Sequence, residues 1–318
     1  GVCEEFMRRL EAMGDGAITK LEPNIGQPTA DPEAAKVLMD DMVQEAKVDV
    51  FFHAWGVDVI QSGQSVQGVV FESKQGRQAV LAKVVVDASG DGDVFFQAGE
   101  SYTQISHALG FVHRLGNTGR IDKSKAPKDT RLNIGGREPL KSVRWVNSLG
   151  SKGNGLDIRD MTQAEMMHRK SAWNYTQRIR KTPGYEEVYL AQTTSQLGVR
   201  ATRLLNGVVR IDKKGAVERT TYPDTVAVSG HDGLRLPEFQ IPYGSLLPKS
   251  VDNVIVAGRC ISCAPDLIDR VRLIPVCVVT GQAAGVAAAL AAKAGVRPRD
   301  LPVADVQKVL REQGAYLG

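Results

Sequence analysis

The chain has 318 residues, 42% of them hydrophobic, enough for one large core or two domains. Its 40 basic and 36 acidic residues leave a net charge of +4 without a long single-sign run, and the densest basic stretch, 168–181, is broken by aromatics, which reads as a solvated helix face and speaks against a nucleic-acid partner. Four unevenly spaced cysteines set no disulfide framework and favour a reducing, cytoplasmic setting, while the longest apolar run, 273–292, is Ala-rich and broken by Gly281-Gln282 and Gly285, as in a buried helix rather than a membrane span.

In chain order, the first predicted element is an amphipathic helix over 4–13, with Phe6, Leu10 and Met13 on one face. With the chain opening directly inside this helix, no signal peptide is expected at its start. Asp31-Pro32-Glu33 starts a second helix, as N-cap, first helical residue and first-turn acid, running to about Lys47. Strands are predicted at 48–52, 56–61, 65–73 and 78–87, with turns at Ser62-Gly63-Gln64 and Gln75-Gly76. The reading is a strand, a small antiparallel meander, and a valine-rich strand returning to a main sheet.

The middle of the chain differs. Strands are predicted at 111–115 and 143–146, separated by a polar loop through Lys123 to Lys128. Asp160 caps a long helix over 161–181, stopped by Pro183-Gly184, and 204–212 reads as a strand. From Val251 the first pattern resumes: a strand at 253–257, a Gly258-Arg259 turn, a helix over 276–293 and a last helix over 303–313. The expected class is α/β, with 1–100 and 241–318 forming one Rossmann-like domain and 101–240 an inserted, mainly β substrate domain.

Two strand endings carry the chemistry. Val84-Val85-Val86 runs into Asp87-Ala88-Ser89-Gly90-Asp91-Gly92-Asp93, and 253–257 runs into Gly258-Arg259. Such endings occur where a sheet offers its carboxyl edge to a ligand: glycine lets backbone approach closely, and a carboxylate accepts from hydroxyls. The plain alternative is a tight strand-to-helix turn with Asp91 or Asp93 as N-cap.

These segments resemble the FAD-dependent oxidoreductase family of the two-dinucleotide-binding-domain flavoproteins. The resemblance rests on 87–93, on Ile241-Pro-Tyr-Gly-Ser-Leu-Leu-Pro-Lys249, on 253–262, on Arg272 to Cys277, on Gly281 to Gly285, and on the strand entry within 195–207. It implies a glutathione-reductase-like FAD-binding domain, FAD as cofactor, and hydride transfer between a small organic substrate and FAD, with the flavin ring between the two domains. The cofactor-binding residues it implies are Ala88, Ser89, Gly90, Asp91, Gly258, Arg259, Gly281, Gln282 and Ala283. The last three are expected at a helix N-terminus, whose free N–H groups and dipole suit a phosphate or a reduced flavin.

The chain departs from the family in two ways. It has no Gly-x-Gly-x-x-Gly after a first strand; Gly150-x-x-Gly153-x-Gly155 lies in the expected substrate domain and reads as a loop. A second chain supplying that unit, in a hetero-oligomer, is therefore expected, the alternatives being truncation or a non-catalytic subunit. Where the family often carries a His and later a Gly-Ser in the loop after Cys-Ile-Ser, this chain has Pro265 and Asp269-Arg270.

Among the histidines 53, 107, 113, 168 and 231, His107 is the candidate acid/base and His53 reads as structural. Arg200, Arg203 and Arg272 are candidate carboxylate binders, with salt bridges at a domain seam as the alternative, and Arg272 joins His107 as a candidate catalytic residue. Cys260-x-x-Cys263 reads as either a redox dithiol or packing, with no metal site expected.

Overall fold

Asp31 Oδ2 accepts a hydrogen bond from Ala34 N at 3.1 Å and Pro32 opens the helix, as the local sequence dictates. The computed structural model describes residues 1–14, 16–19, 28–137, 139–229 and 237–318. Its residues form two compact units: 1–5, 49–105 and 201–318 in the first, 6–48 and 106–200 in the second. This division differs from the expected one. Residues 6–48 go with the middle of the chain, and 201–240 go with its end.

Helix α1 (Val2–Ala12) buries Leu10 against Leu38 of α2 (Pro32–Glu45), and Arg9 forks onto Glu45. The strand expected at 48–52 does not form. Among the described residues this run has no pairing partner, and Phe51 and Phe52 are 65% and 71% exposed. An apolar run becomes a strand only when a neighbour takes its backbone N–H and C=O groups.

The meander is as expected: β1 (Trp55–Ser62), β2 (Ser65–Ser73) and β3 (Gly76–Leu81) pair in order, turning at Gly63 and Gly76. The single strand expected over 78–87 splits in two. β3 stays in the meander, and β4 (Val85–Asp87) belongs to a different sheet, the break falling at 82–84. After α3 (Asp93–Gln97) and β5 (Tyr102–Gln104), the second unit builds an antiparallel sheet from β6 (Ala108–Gly116), β7 (Gly136–Arg137), β8 (Arg144–Lys152), β9 (Tyr189–Thr193) and β10 (Gly198–Val199).

Helix α4 (Ile158–Arg180) lies on that sheet through Ala164, His168, Ala172, Thr176 and Ile179, one helical face at spacings of three and four. Its cap corrects the expectation. Asp157, not Asp160, accepts from the amides of Arg159 and Asp160, while Asp160 reaches back to Asn154 N. Both acids sit at the helix start, and only the backbone path decides which one caps.

In the first unit, 204–212 is mostly irregular: β11 (Arg203–Leu205) pairs with β5, and Ile211 makes only an isolated bridge to Cys263. Helix α5 (Lys213–Glu218) follows, β12 (Thr225–Val228) pairs with β13 (Gln240–Pro242), and β14 (Val254–Val256) pairs in parallel with β4. Helices α6 (Ile268–Val271), α7 (Ile274–Ala294) and α8 (Val303–Glu312) close the chain. α7 is long and apolar enough to cross a membrane by composition, yet it packs Val276, Ala283, Ala284, Ala287 and Ala291 into the main core.

Candidate functional site

β4 and β14 run side by side in parallel, Val85 beside Val254 and Asp87 beside Val256, so both carboxyl ends open at one edge of the sheet. Both then turn through left-handed glycines, Gly90 and Gly92 after β4 and Gly258 after β14.

Asp87 organises the first turn. It is fully buried; Oδ1 accepts from Ser89 N and Oγ, and Oδ2 accepts from Val94 N and Phe95 N at 3.0 and 3.1 Å. Asp87 therefore caps α3, the role that the plain alternative gave to Asp91 or Asp93. Those two carboxylates are turned to other work.

Asp91 Oδ1 accepts from Thr202 Oγ1 at 2.7 Å, and Oδ2 accepts from Arg259 Nη2 at 2.7 Å. Arg203 Nη1 donates to Asp91 O and to Asp93 Oδ1, both at 3.0 Å, with its guanidinium 4.0 Å over the Phe96 ring. Burial, helped by the Asp91 charge, raises the Asp93 carboxyl above its ordinary range against the pull of Arg203. Among the described residues the Nε atoms of both Arg203 and Arg259 are buried without a hydrogen-bond partner. Such donors ordinarily meet a ligand or water.

Gly90 lies under Arg259: a Cβ there would sit 2.2 Å from Nη1. A Cβ at Gly258 would meet only Cys277 Sγ, at 3.8 Å, so the backbone there faces open space. Beside this loop lies a cavity of about 210 Å³, walled by Trp55, Gly56, Val57, Val69, Ser89 and Asp93. Sequence reasoning missed the Trp55 wall; the available signal is an aromatic, 67% exposed here, beside a glycine at the entry to a meander.

The open backbone at Gly258 and the two orphaned guanidinium donors fit the anionic, hydroxyl-bearing part of FAD. Ala88, Ser89, Gly90, Asp91, Gly258 and Arg259 are all brought to this edge.

Gly281, Gln282 and Ala283 are not at a helix N-terminus. α7 starts at Ile274, because Pro275 suits a first-turn position, so these three lie in the helix interior. Gln282 accepts from Val2 N and donates to Gln313, and Ala283 is fully buried. Gly258 N donates to Thr280 Oγ1, which links α7 to the turn.

Arg272 is paired with Asp269 through Nε and Nη2 at 2.9 and 2.7 Å. His107 belongs to the second unit, its Nδ1 accepting from Ala108 N, and Arg200 of that unit donates to Asn147. His53 is an exposed left-handed residue, His113 on β6 and His168 on α4 are buried, and His231 lies outside the described residues.

Cys260 and Cys263 are buried free thiols. Burial pushes Cys263 up to about 12 and Cys260 well above its ordinary value, removing the thiolate that redox exchange needs; both pack in the core.

The model of the FAD dependent oxidoreductase family matches residues 1–110 and 108–310. Solved structures similar to the chain include p-nitrophenol 4-monooxygenase from Pseudomonas putida, with 13% identity over 90% of this chain and 60% of that one and a TM-score of 0.43. A geranylgeranyl bacteriochlorophyll reductase-like protein from Thermoplasma acidophilum shares 14% identity over 94% and 68%, with a TM-score of 0.44. Glycine oxidase from Geobacillus kaustophilus shares 12% over 79% and 54%, with a TM-score of 0.37. The chain thus spans 54% to 68% of the length of these structures. No curated protein matches it. With its family model matched over most of its length, the chain belongs to the FAD dependent oxidoreductase family, whose cofactor is FAD.

Proposed function

We propose that the chain serves a flavoprotein oxidoreductase that moves a hydride between a small organic substrate and FAD. The observation that carries this reading is the Asp91–Arg259–Arg203 cluster at the carboxyl edge of β4 and β14, with its unpartnered buried donors. Bound FAD supplies the two-electron acceptor. Arg259 and Arg203 hold anionic oxygens, and Asp91 orients Arg259 from below. Gly90 and Gly258 let backbone come close to the cofactor, and the wall of Val57, Val69 and Trp55 excludes water from one side.

We further propose that the nucleotide end of FAD rests on a Gly-x-Gly-x-x-Gly strand–helix unit supplied by another polypeptide. Among the described residues β4 and β14 pair as strands only with each other, Val256 N on the outer side of β14 donating instead to Leu246 O, so β4 has no strand neighbour on its other side, and Phe51, Phe52 and Trp55 lie exposed in the same unit. The second reading, a subunit that holds FAD only with its partner, draws on the same observations.

Titration of residues 1–318 with FAD, followed by flavin fluorescence, tests both. Binding weaker than about 1 µM by the chain alone is expected. Tighter binding by a monomer removes the partner. A native complex that contains this chain and carries no flavin removes the FAD reading.

A further inference from the structure

We propose that a pocket at the entry to β8, lined by residues of the second unit, binds a small oxyanion. The cavity measures about 180 Å³, room for a phosphate or a short organic acid. Its polar lining is Thr118, Lys141, Ser142 and Arg144, with Leu140 and Val143 as apolar walls. Among the described residues two cations and two hydroxyls line it, and no carboxylate does.

The ammonium and guanidinium can only donate hydrogen bonds, and the hydroxyls can turn to donate, so the site suits a ligand rich in acceptors. An apolar ligand would bury these donors unpaired. Among the described residues Arg144 makes one long side-chain contact, Nη1 to Gly135 O at 3.4 Å, and Lys141 makes none. Neighbouring charges are already matched: Arg120 with Glu187 at 2.7 Å and Lys125 with Asp122 at 3.5 Å.

The pocket is held together by its backbone. Asn117 and Ser142 both sit at left-handed φ, 58° and 71°, and Ser142 O accepts from Thr118 N at 2.9 Å. The Ser142 hydroxyl lies against Gly119, where a Cβ would come within 2.3 Å of Oγ. Glycine at 119 is what gives this hydroxyl its place in the wall. Left-handed non-glycine residues are strained, and such strain concentrates at binding sites.

Carboxylate and phosphate share the recognised chemistry, and the experiment separates them. The 318-residue chain is titrated calorimetrically with inorganic phosphate and, separately, with malonate, against sodium chloride of equal ionic strength. Saturable binding of at least one anion is expected, about tenfold weaker in Lys141→Gln, which removes one charge-assisted contact. Ser142→Gly, which relieves the backbone and deletes the hydroxyl, is expected to weaken binding as well. Phosphate alone binding assigns a phosphorylated ligand, and malonate alone an organic acid. The proposal is overturned if neither anion saturates at millimolar concentration, or if affinity is the same in wild type and both folded variants.

Discussion

Asp91 and Arg259 lie 168 residues apart in sequence and are joined by a 2.7 Å hydrogen bond from Nη2 to Oδ2. Thr202 and Arg203 add two more contacts to the same residue. One carboxylate thus ties together the turn after β4, the entry to β11 and the turn after β14. Asp91→Asn should lower unfolding free energy by about 1–3 kcal/mol, the effect of weakening charge-assisted bonds at a half-buried site. It should also reduce the flavin content of the native protein. Urea denaturation and flavin content of purified protein read the two effects; no change in either would deny Asp91 its role.

Gly90 and Gly258 offer a matched pair of tests. Both have φ near 80°, so alanine at either costs about 1–2 kcal/mol in backbone strain. At Gly90 the added Cβ also strikes Arg259, whereas at Gly258 it meets almost nothing. Gly90→Ala should therefore be the more destabilising, and Gly90→Val should abolish flavin retention. Gly258→Ala should keep near-parental stability apart from the strain and still lose flavin. Full flavin content in Gly258→Ala would show that no cofactor approaches that turn.

Acid should loosen the second unit. Burial holds His113 and His168 below their ordinary value, near 6.5, so both are neutral in the fold. The unfolded chain then binds more protons as pH falls through about 6.5, so their neutral-state stabilisation is present above that pH and is lost progressively below it. His113 is buried on β6 and, among the described residues, has no hydrogen bond on either nitrogen, while Nε2 of His168 meets Ser151 Oγ at 3.1 Å. His113→Leu should flatten the acid limb of a denaturant-midpoint-against-pH curve and leave neutral stability equal or higher. A curve as steep as wild type would show that other groups govern it.

The cysteines offer a simple chemical check. With Cys263 pushed up to about 12, on the order of one molecule in ten thousand carries that thiolate at pH 8. Iodoacetamide on the native protein should modify Cys3 and Cys277, both partly exposed, well before Cys260 or Cys263. Rapid native labelling of Cys263, read by mass spectrometry, would reopen the dithiol.

Several features were legible in the residues alone because they are local. Asp31-Pro32 starts a helix through its own side chain and ring, and the turns at Gly63 and Gly76 need only left-handed backbone. The endings of β4 and β14 follow from valine runs meeting glycine, and their family likeness made FAD readable from Asp87–Asp93 and Asn253–Ser262. Other features depend on partners distant in sequence. The run 48–52 has strand composition but nothing to pair with, and 78–87 breaks because its two halves join different sheets. α7 begins at Ile274 and draws Gly281 to Ala283 into its interior, a start that the small-residue run does not announce. Asp87 takes the cap and leaves Asp91 free for Arg259 because the chain brings residue 259 beside it. Hydrogen bonds act over about 3 Å, and adjacency of that kind between segments 168 residues apart is decided by packing.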